Sequence, residues 1–155
     1  MNAPIPLRSP REALGGYVIL PRLIDKVRLY ARGTLPTAYV AQLLAPEPAL
    51  DGRLLAFTGL EPEALRTAIL SSPDDTAVLS WVERYGKPRT DAEKTAWAGA
   101  IDAYRPDHER AARRAQHYPN VAAKFDVGGI SVFDLIDLDE GRIAHPSGRP
   151  PWQDG

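Results

Sequence analysis

The sequence contains no cysteine, which excludes disulfides, thiolate zinc sites and cysteine nucleophiles together. It has no long apolar run; the longest are a few residues, against the ~20 that a membrane-spanning helix needs. It has almost no net charge, −1 over 155 residues, so no global field draws it to nucleic acid or to a membrane surface. The opening MNAPIPLRSPRE lacks the apolar core of a signal peptide and is broken by prolines. The expectation is a soluble, cytoplasmic protein. The missing cysteines fit a reducing compartment without requiring one.

Catalytic and cofactor signatures are missing too. No Gly-x-Ser-x-Gly elbow is present to support a hydrolase triad. His108-Glu109-Arg110-Ala111-Ala112 lacks the second histidine of the zinc-protease motif, and His117 and His145 are not at ligand spacing. Gly15-Gly16 has neither the Lys-Ser/Thr ending of a P-loop nor the third glycine of the dinucleotide fingerprint, and reads as a tight turn. The run Asp134, Asp137, Asp139, Glu140 fails the calcium-loop pattern, because Gly141 takes a ligand position and Arg142 the turn glycine's place. It reads as an exposed helix face. The residues name no metal and no cofactor. Arg110, Arg113 and Arg114 make a stripe too narrow to argue for nucleic acid.

What is present is ordinary globular composition, 44% hydrophobic and 25% charged, cut into short helices by proline and glycine. Ser9-Pro10-Arg11-Glu12 reads as a short helical turn stopped by Gly15-Gly16. Pro21 suits the first turn of a helix in which Leu20, Leu23, Ile24, Val27 and Ala31 share one buried face, ended by Gly33. PTAYVAQLLA, from Pro36 to Pro46, reads as a second short helix, Asp51-Gly52 as a turn, and RLLAFTGL as a further helix.

Glu61-Pro62-Glu63 begins a helix facing Leu65, Ala68 and Ile69 inward. Ser72 caps the next, which carries Val78, Trp81, Val82 and Tyr85; Trp81, and Trp97 further on, are read as packing. Thr90-Asp91-Ala92-Glu93 matches a capping box, Asp107 caps an alanine-and-arginine helix expected to be exposed, and Ser131 caps VFDLIDLDE. No hairpin alternation stands out. The expected fold is all-α: a compact array of about six or seven short helices in a single domain over 7–143, with a flexible arm at 1–6 and a loose tail at 144–155.

Four blocks carry a resemblance to a known family: LRSPREALGGYVILPRLIDKVR at 7–28, DGRLLAFTGLEPEAL at 51–65, VLSWVERYGKPRT at 78–90 and VFDLIDLDEGR at 132–142. In this order they resemble the bacterial proteins grouped as domain of unknown function 5069 (DUF5069). The first block is the most specific, since Ser-Pro-Arg, Gly-Gly-Tyr and Leu-Pro-Arg-x-Ile-Asp-Lys fall within one span. The resemblance implies a small helical domain and supplies no activity.

Charge is uneven beneath the small total. Residues 1–45 hold six basic groups against two acids, residues 46–109 seven against twelve, and residues 110–155 six against six. Either the two halves attract each other in the fold, or the N-terminal surface meets an anion. The candidate site is Arg11, Tyr17, Arg22, Asp25 and Lys26. Arg22, Asp25 and Lys26 share a helix face, and the repulsion of Arg22 and Lys26 at that spacing is relieved if a carboxylate or phosphate lies between them. The competing account pairs Asp25 with Arg22 or Arg28 and packs Arg11 over the glycine turn.

The leading reading is a binding or interaction module whose basic N-terminal helix face meets an acidic protein partner or a small anion. The alternative is an enzyme acting on a small anionic substrate, with Asp25, Lys26 or Tyr17 converging in a concave pocket. A structural partner in a larger assembly is a third.

Overall fold

A computed structural model describes residues 6–147. Of the expected arm at 1–6 only Pro6, and of the tail at 144–155 only residues 144–147, lie within the described residues. The chain divides into two compact units, one formed by Pro6–Lys94 and one from Thr95 onward.

The first unit opens on a turn rather than on helix. The Ser9 carbonyl accepts from the Glu12 N–H at 3.1 Å, and the Glu12 carboxylate accepts from the Ser9 N–H at 3.1 Å. Two short strands follow, β1 (Ala13–Leu14) and β2 (Tyr17–Val18), antiparallel, with Ala13 opposite Val18 and Leu14 opposite Tyr17. Gly15 and Gly16, at φ 57° and 85°, supply the two left-handed positions that a tight hairpin turn needs. Strands of two residues are too short to show alternation, so the sequence concealed them.

Helix α1 (Leu20–Ala31) has Pro21 in its first turn and buries Leu20, Leu23, Ile24 and Val27 as expected; Ala31 is exposed. It is entered through Ile19, fully buried and held at φ 76°. For a β-branched residue that is a strained conformation. Residues 34–49 contain only the four-residue helix α2 (Thr37–Val40), not the longer helix expected, and Leu35 is the one buried residue in this stretch. Helix α3 (Leu50–Thr58) includes Asp51 and Gly52, so the turn expected there is corrected. A Cβ at Gly52 would collide with the backbone of Ala45, Pro46 and Glu47. This glycine therefore permits close approach rather than a bend.

Helix α4 (Pro62–Ser71) buries Leu65, Ala68 and Ile69, and α5 (Asp75–Tyr85) buries Val78 and Val82. The α5 cap is Asp74, which accepts from the Ala77 N–H at 2.9 Å; Ser72 instead closes α4 by donating to the Ala68 carbonyl. Helix α1 packs against α3, α4 and β1, and α4 against α5, placing α1 at the centre of this unit.

Helix α6 (Asp91–Ala103) starts with the expected capping box: the Thr90 N–H donates to Glu93 at 2.9 Å and the Glu93 N–H to Thr90 Oγ1 at 3.1 Å. In the second unit, α7 (His108–His117) buries no residue, and it is followed by α8 (Pro119–Ala122) and α9 (Val132–Asp139). Asp107 and Ser131 cap α7 and α9 as expected. Val121, Val127, Ile130 and Leu135 form a core here, with Tyr118 and Phe125 against it.

Asp134 and Asp137 are each 5% exposed, correcting the reading of the late acidic run as an exposed face. Asp134 accepts from the N–H and hydroxyl of Ser147, and Asp137 pairs with Arg142 at 3.2 Å.

The described residues thus hold nine helices and one two-stranded ladder, more than the six or seven helices expected and not strictly all-α. The surplus comes from pieces such as α2 and α8, four residues each, whose periodicity no sequence window resolves. Among the described residues no helix is long and apolar enough to cross a membrane.

Candidate functional site

The charged residues of α1 lie in two groups on the first unit. The first is built on Asp25. Its carboxylate accepts from the Arg8 N–H at 2.8 Å, from Arg8 Nε at 3.1 Å and from Arg8 Nη2 at 3.0 Å. Arg8 Nη1 continues to Asp75 at 2.6 Å, and the other Asp75 oxygen meets Arg28 Nη1 at 3.3 Å. These arginines hold the Asp75 carboxyl below its ordinary value of 3.8, chiefly through the Arg8 hydrogen bond. The Arg8 guanidinium is held in its charged form, first by Asp25. Asp25 is thus held by Arg8, a partner that helical spacing did not offer.

The second group is buried. Lys26 Nζ meets Asp51 Oδ1 at 2.8 Å, with the lysine side chain 6% and the aspartate side chain 0% exposed. The other Asp51 oxygen accepts from the Leu44 N–H at 2.9 Å. One turn earlier Arg22 is 5% exposed. It donates to the Arg8 carbonyl at 3.1 Å and lies 5.5 Å from the centre of the Tyr39 ring. The helix face expected to present Arg22 and Lys26 to solvent is in fact covered.

Tyr17 and Arg11 are placed by other contacts. Tyr17 is 2% exposed, with Lys94 Nζ 4.3 Å from its ring centre and Phe57 edge-on at 6.1 Å. Burial raises its phenol above the ordinary value of 10.0. Lys94 also donates to the Gly15 carbonyl at 2.7 Å. Arg11 is half-buried, and its N–H donates to Ser9 Oγ at 3.1 Å.

Tyr17, Asp25 and Lys26 thus meet Lys94, Arg8 and Asp51 respectively, three separate partners rather than one shared point. A shallow depression of about 560 Å³, lined by Glu63, Thr67, Ala68 and Trp81 among others, holds none of the five candidates. Among the described residues no group of three or more histidine, aspartate or glutamate side chains is arranged to hold a metal ion.

Arg8, Asp51, Asp75 and Lys94 are the partners that sequence reasoning did not select. Arg8 had a signal, since it opens the block that carries the resemblance most specifically. The two aspartates had a weaker one in the acid-rich middle segment, whose charges meet the basic N-terminal ones here.

The family model described as Domain of unknown function (DUF5069) matches residues 5–142. The chain belongs to that family. No curated protein matches it. In this DUF5069 protein the matched span contains every residue of both charged groups, from Arg8 to Asp75.

Proposed function

We propose that this DUF5069 protein is a binding module for a small anion, a molecule bearing phosphate or carboxylate, received by Arg22 and Lys26. The observation that supports this is the burial of two cations one turn apart on α1, each 5% exposed. Apolar residues of similar volume would stabilise a fold at least as well as a buried ion pair. Like charges at this helical spacing also repel. An anion seated between them answers both costs through charge-assisted hydrogen bonds. A small ligand fits this better than an acidic protein surface, which does not reach side chains that are 5% exposed. Asp25, fixed by Arg8, orients the same helix, while Arg11 and Tyr17 fall outside the proposed pair. A cytoplasmic location belongs to the same reading and rests on the sequence argument.

The test is calorimetric titration with inorganic phosphate, pyrophosphate and citrate, on the natural protein and on Lys26→Met/Asp51→Asn. The double variant removes both charges at nearly constant volume and keeps an amide oxygen to accept the Leu44 N–H, so it should fold. Saturable heat is expected from the natural protein and none from the variant. Equal heats from both, or none from the natural protein in the millimolar range, would overturn the reading.

A further inference from the structure

We infer that residues 34–49 form a lid over Arg22 and Lys26, and that opening of this lid controls access to the two cations. The inference rests on the anion-binding reading for its purpose, but its geometry stands separately. Both cations are linked to the same stretch: the Tyr39 ring lies 5.5 Å from the Arg22 guanidinium, and the Leu44 N–H is bonded to the carboxylate that holds Lys26.

The stretch itself is thinly anchored. Of its sixteen residues only Leu35 is buried, and its single helix has four residues. Segments with so little buried apolar surface open at low free-energy cost relative to the core they cover. The two ends of the stretch differ. Gly33, at φ 74° and with open space where a Cβ would stand, joins it to the end of α1. At the other end residues 45–47 lie directly on α3 at Gly52, so this end is the anchored one about which the stretch would hinge. Leu44 adopts φ 53°, a left-handed conformation that costs a branched aliphatic residue free energy and is held by its bond to Asp51. Between its two ends the closed lid is held at the buried Leu35 and at the charged groups it meets.

The consequence is a population effect. If the cations are reachable only when the lid opens, the apparent affinity for an anion is reduced by the open fraction, and loosening the lid raises it. Tyr39 is the fastening whose removal leaves both cations and Asp51 in place.

The test uses acetylation of lysine amines with N-hydroxysuccinimidyl acetate, followed by peptide mass spectrometry. Lys94, also buried but packed on Tyr17 away from the lid, is the internal control. Tyr39→Ala should speed modification of Lys26 about fivefold, the factor a cation–aromatic contact of this kind contributes. Lys94 should be unchanged, and Tyr39→Phe, which keeps the ring, should accelerate Lys26 less than Tyr39→Ala does. Unaltered Lys26 reactivity in Tyr39→Ala, or equal acceleration at Lys94, would overturn the lid. Inorganic phosphate should protect Lys26 in Tyr39→Ala more strongly than in the natural protein. Should the lid result hold while phosphate neither protects Lys26 nor gives heat, the anion reading fails and the lid stands.

Discussion

Arg8 grips Asp25 with three hydrogen bonds, one from its own backbone N–H and two from the guanidinium, all between 2.8 and 3.1 Å. The pair spans 17 residues and fastens the chain before the hairpin to the middle of α1. Planar two-point contact is a property of arginine that lysine lacks. Arg8→Lys should therefore lower stability by roughly 1–2 kcal/mol, despite conserving charge. The check is the urea midpoint of the variant beside that of Asp25→Asn. Because both changes remove the same contact, their combination should cost less than the sum.

Lys26 and Asp51 make a stricter demand. Their side chains are 6% and 0% exposed, so removing one leaves the other charged and buried. Lys26→Met alone and Asp51→Asn alone should each destabilise by about 3–5 kcal/mol, whereas the double change, which keeps an acceptor for the Leu44 N–H, should lie close to the natural protein. Thermal unfolding of the four proteins closes the cycle. Additive losses would show that the two charges are not coupled.

The parts of this fold that were readable in the sequence are those whose chemistry is local. The Thr90–Glu93 capping box, the Asp107 and Ser131 caps and the buried row Leu20, Leu23, Ile24 and Val27 all depend on spacings of three or four residues. Even there a close competitor deceived: Ser72 and Asp74 flank the same proline, and the helix took the aspartate. The partners of the charged residues were not readable, because Lys26 and Asp51 lie 25 residues apart and Arg28 and Asp75 lie 47 apart. Periodicity marked Arg22 and Lys26 as polar and therefore as outward. What that rule cannot see is a loop such as 34–49 returning over the polar face. The excess of basic groups before residue 46 and of acids after it was the one long-range signal, and Lys26–Asp51, Arg8–Asp75 and Arg28–Asp75 are its structural meaning.

Gly15 in the hairpin turn and Gly33 after α1 separate two costs of replacing glycine. At Gly15, φ is 57° and an added Cβ would sit 2.6 Å from the Leu79 side chain; at Gly33, φ is 74° and the space is open. Gly33→Ala should cost about 1 kcal/mol, from backbone conformation alone. Gly15→Ala should cost roughly 1–3 kcal/mol more, because Leu79 must also move. Leu79→Ala in the Gly15→Ala background should recover part of that difference and none of the backbone cost. Chemical denaturation of the single and double variants decides it; recovery to the full natural value would refute the backbone contribution.

Asp75 gives the charged cluster a pH signature of known sign. Its carboxyl is held below 3.8 in the folded protein, first by the hydrogen bond from Arg8. A group whose folded value is depressed adds stability that is complete above the unfolded value and is lost as pH falls through the folded one. The natural protein should therefore lose stability from just above pH 4 downward, as the unfolded chain takes up the proton first. Asp75→Asn should be less stable at neutral pH by about 1 kcal/mol, the partial exposure of the site keeping the loss modest. Its advantage at neutral pH being absent, the variant should show a shallower decline in acid, and the two stability curves should converge once the pH has fallen below the folded value of Asp75. Urea denaturation at successive pH values measures this directly. Parallel curves across the acid range would mean that Arg8 and Arg28 do not hold Asp75 in its charged form.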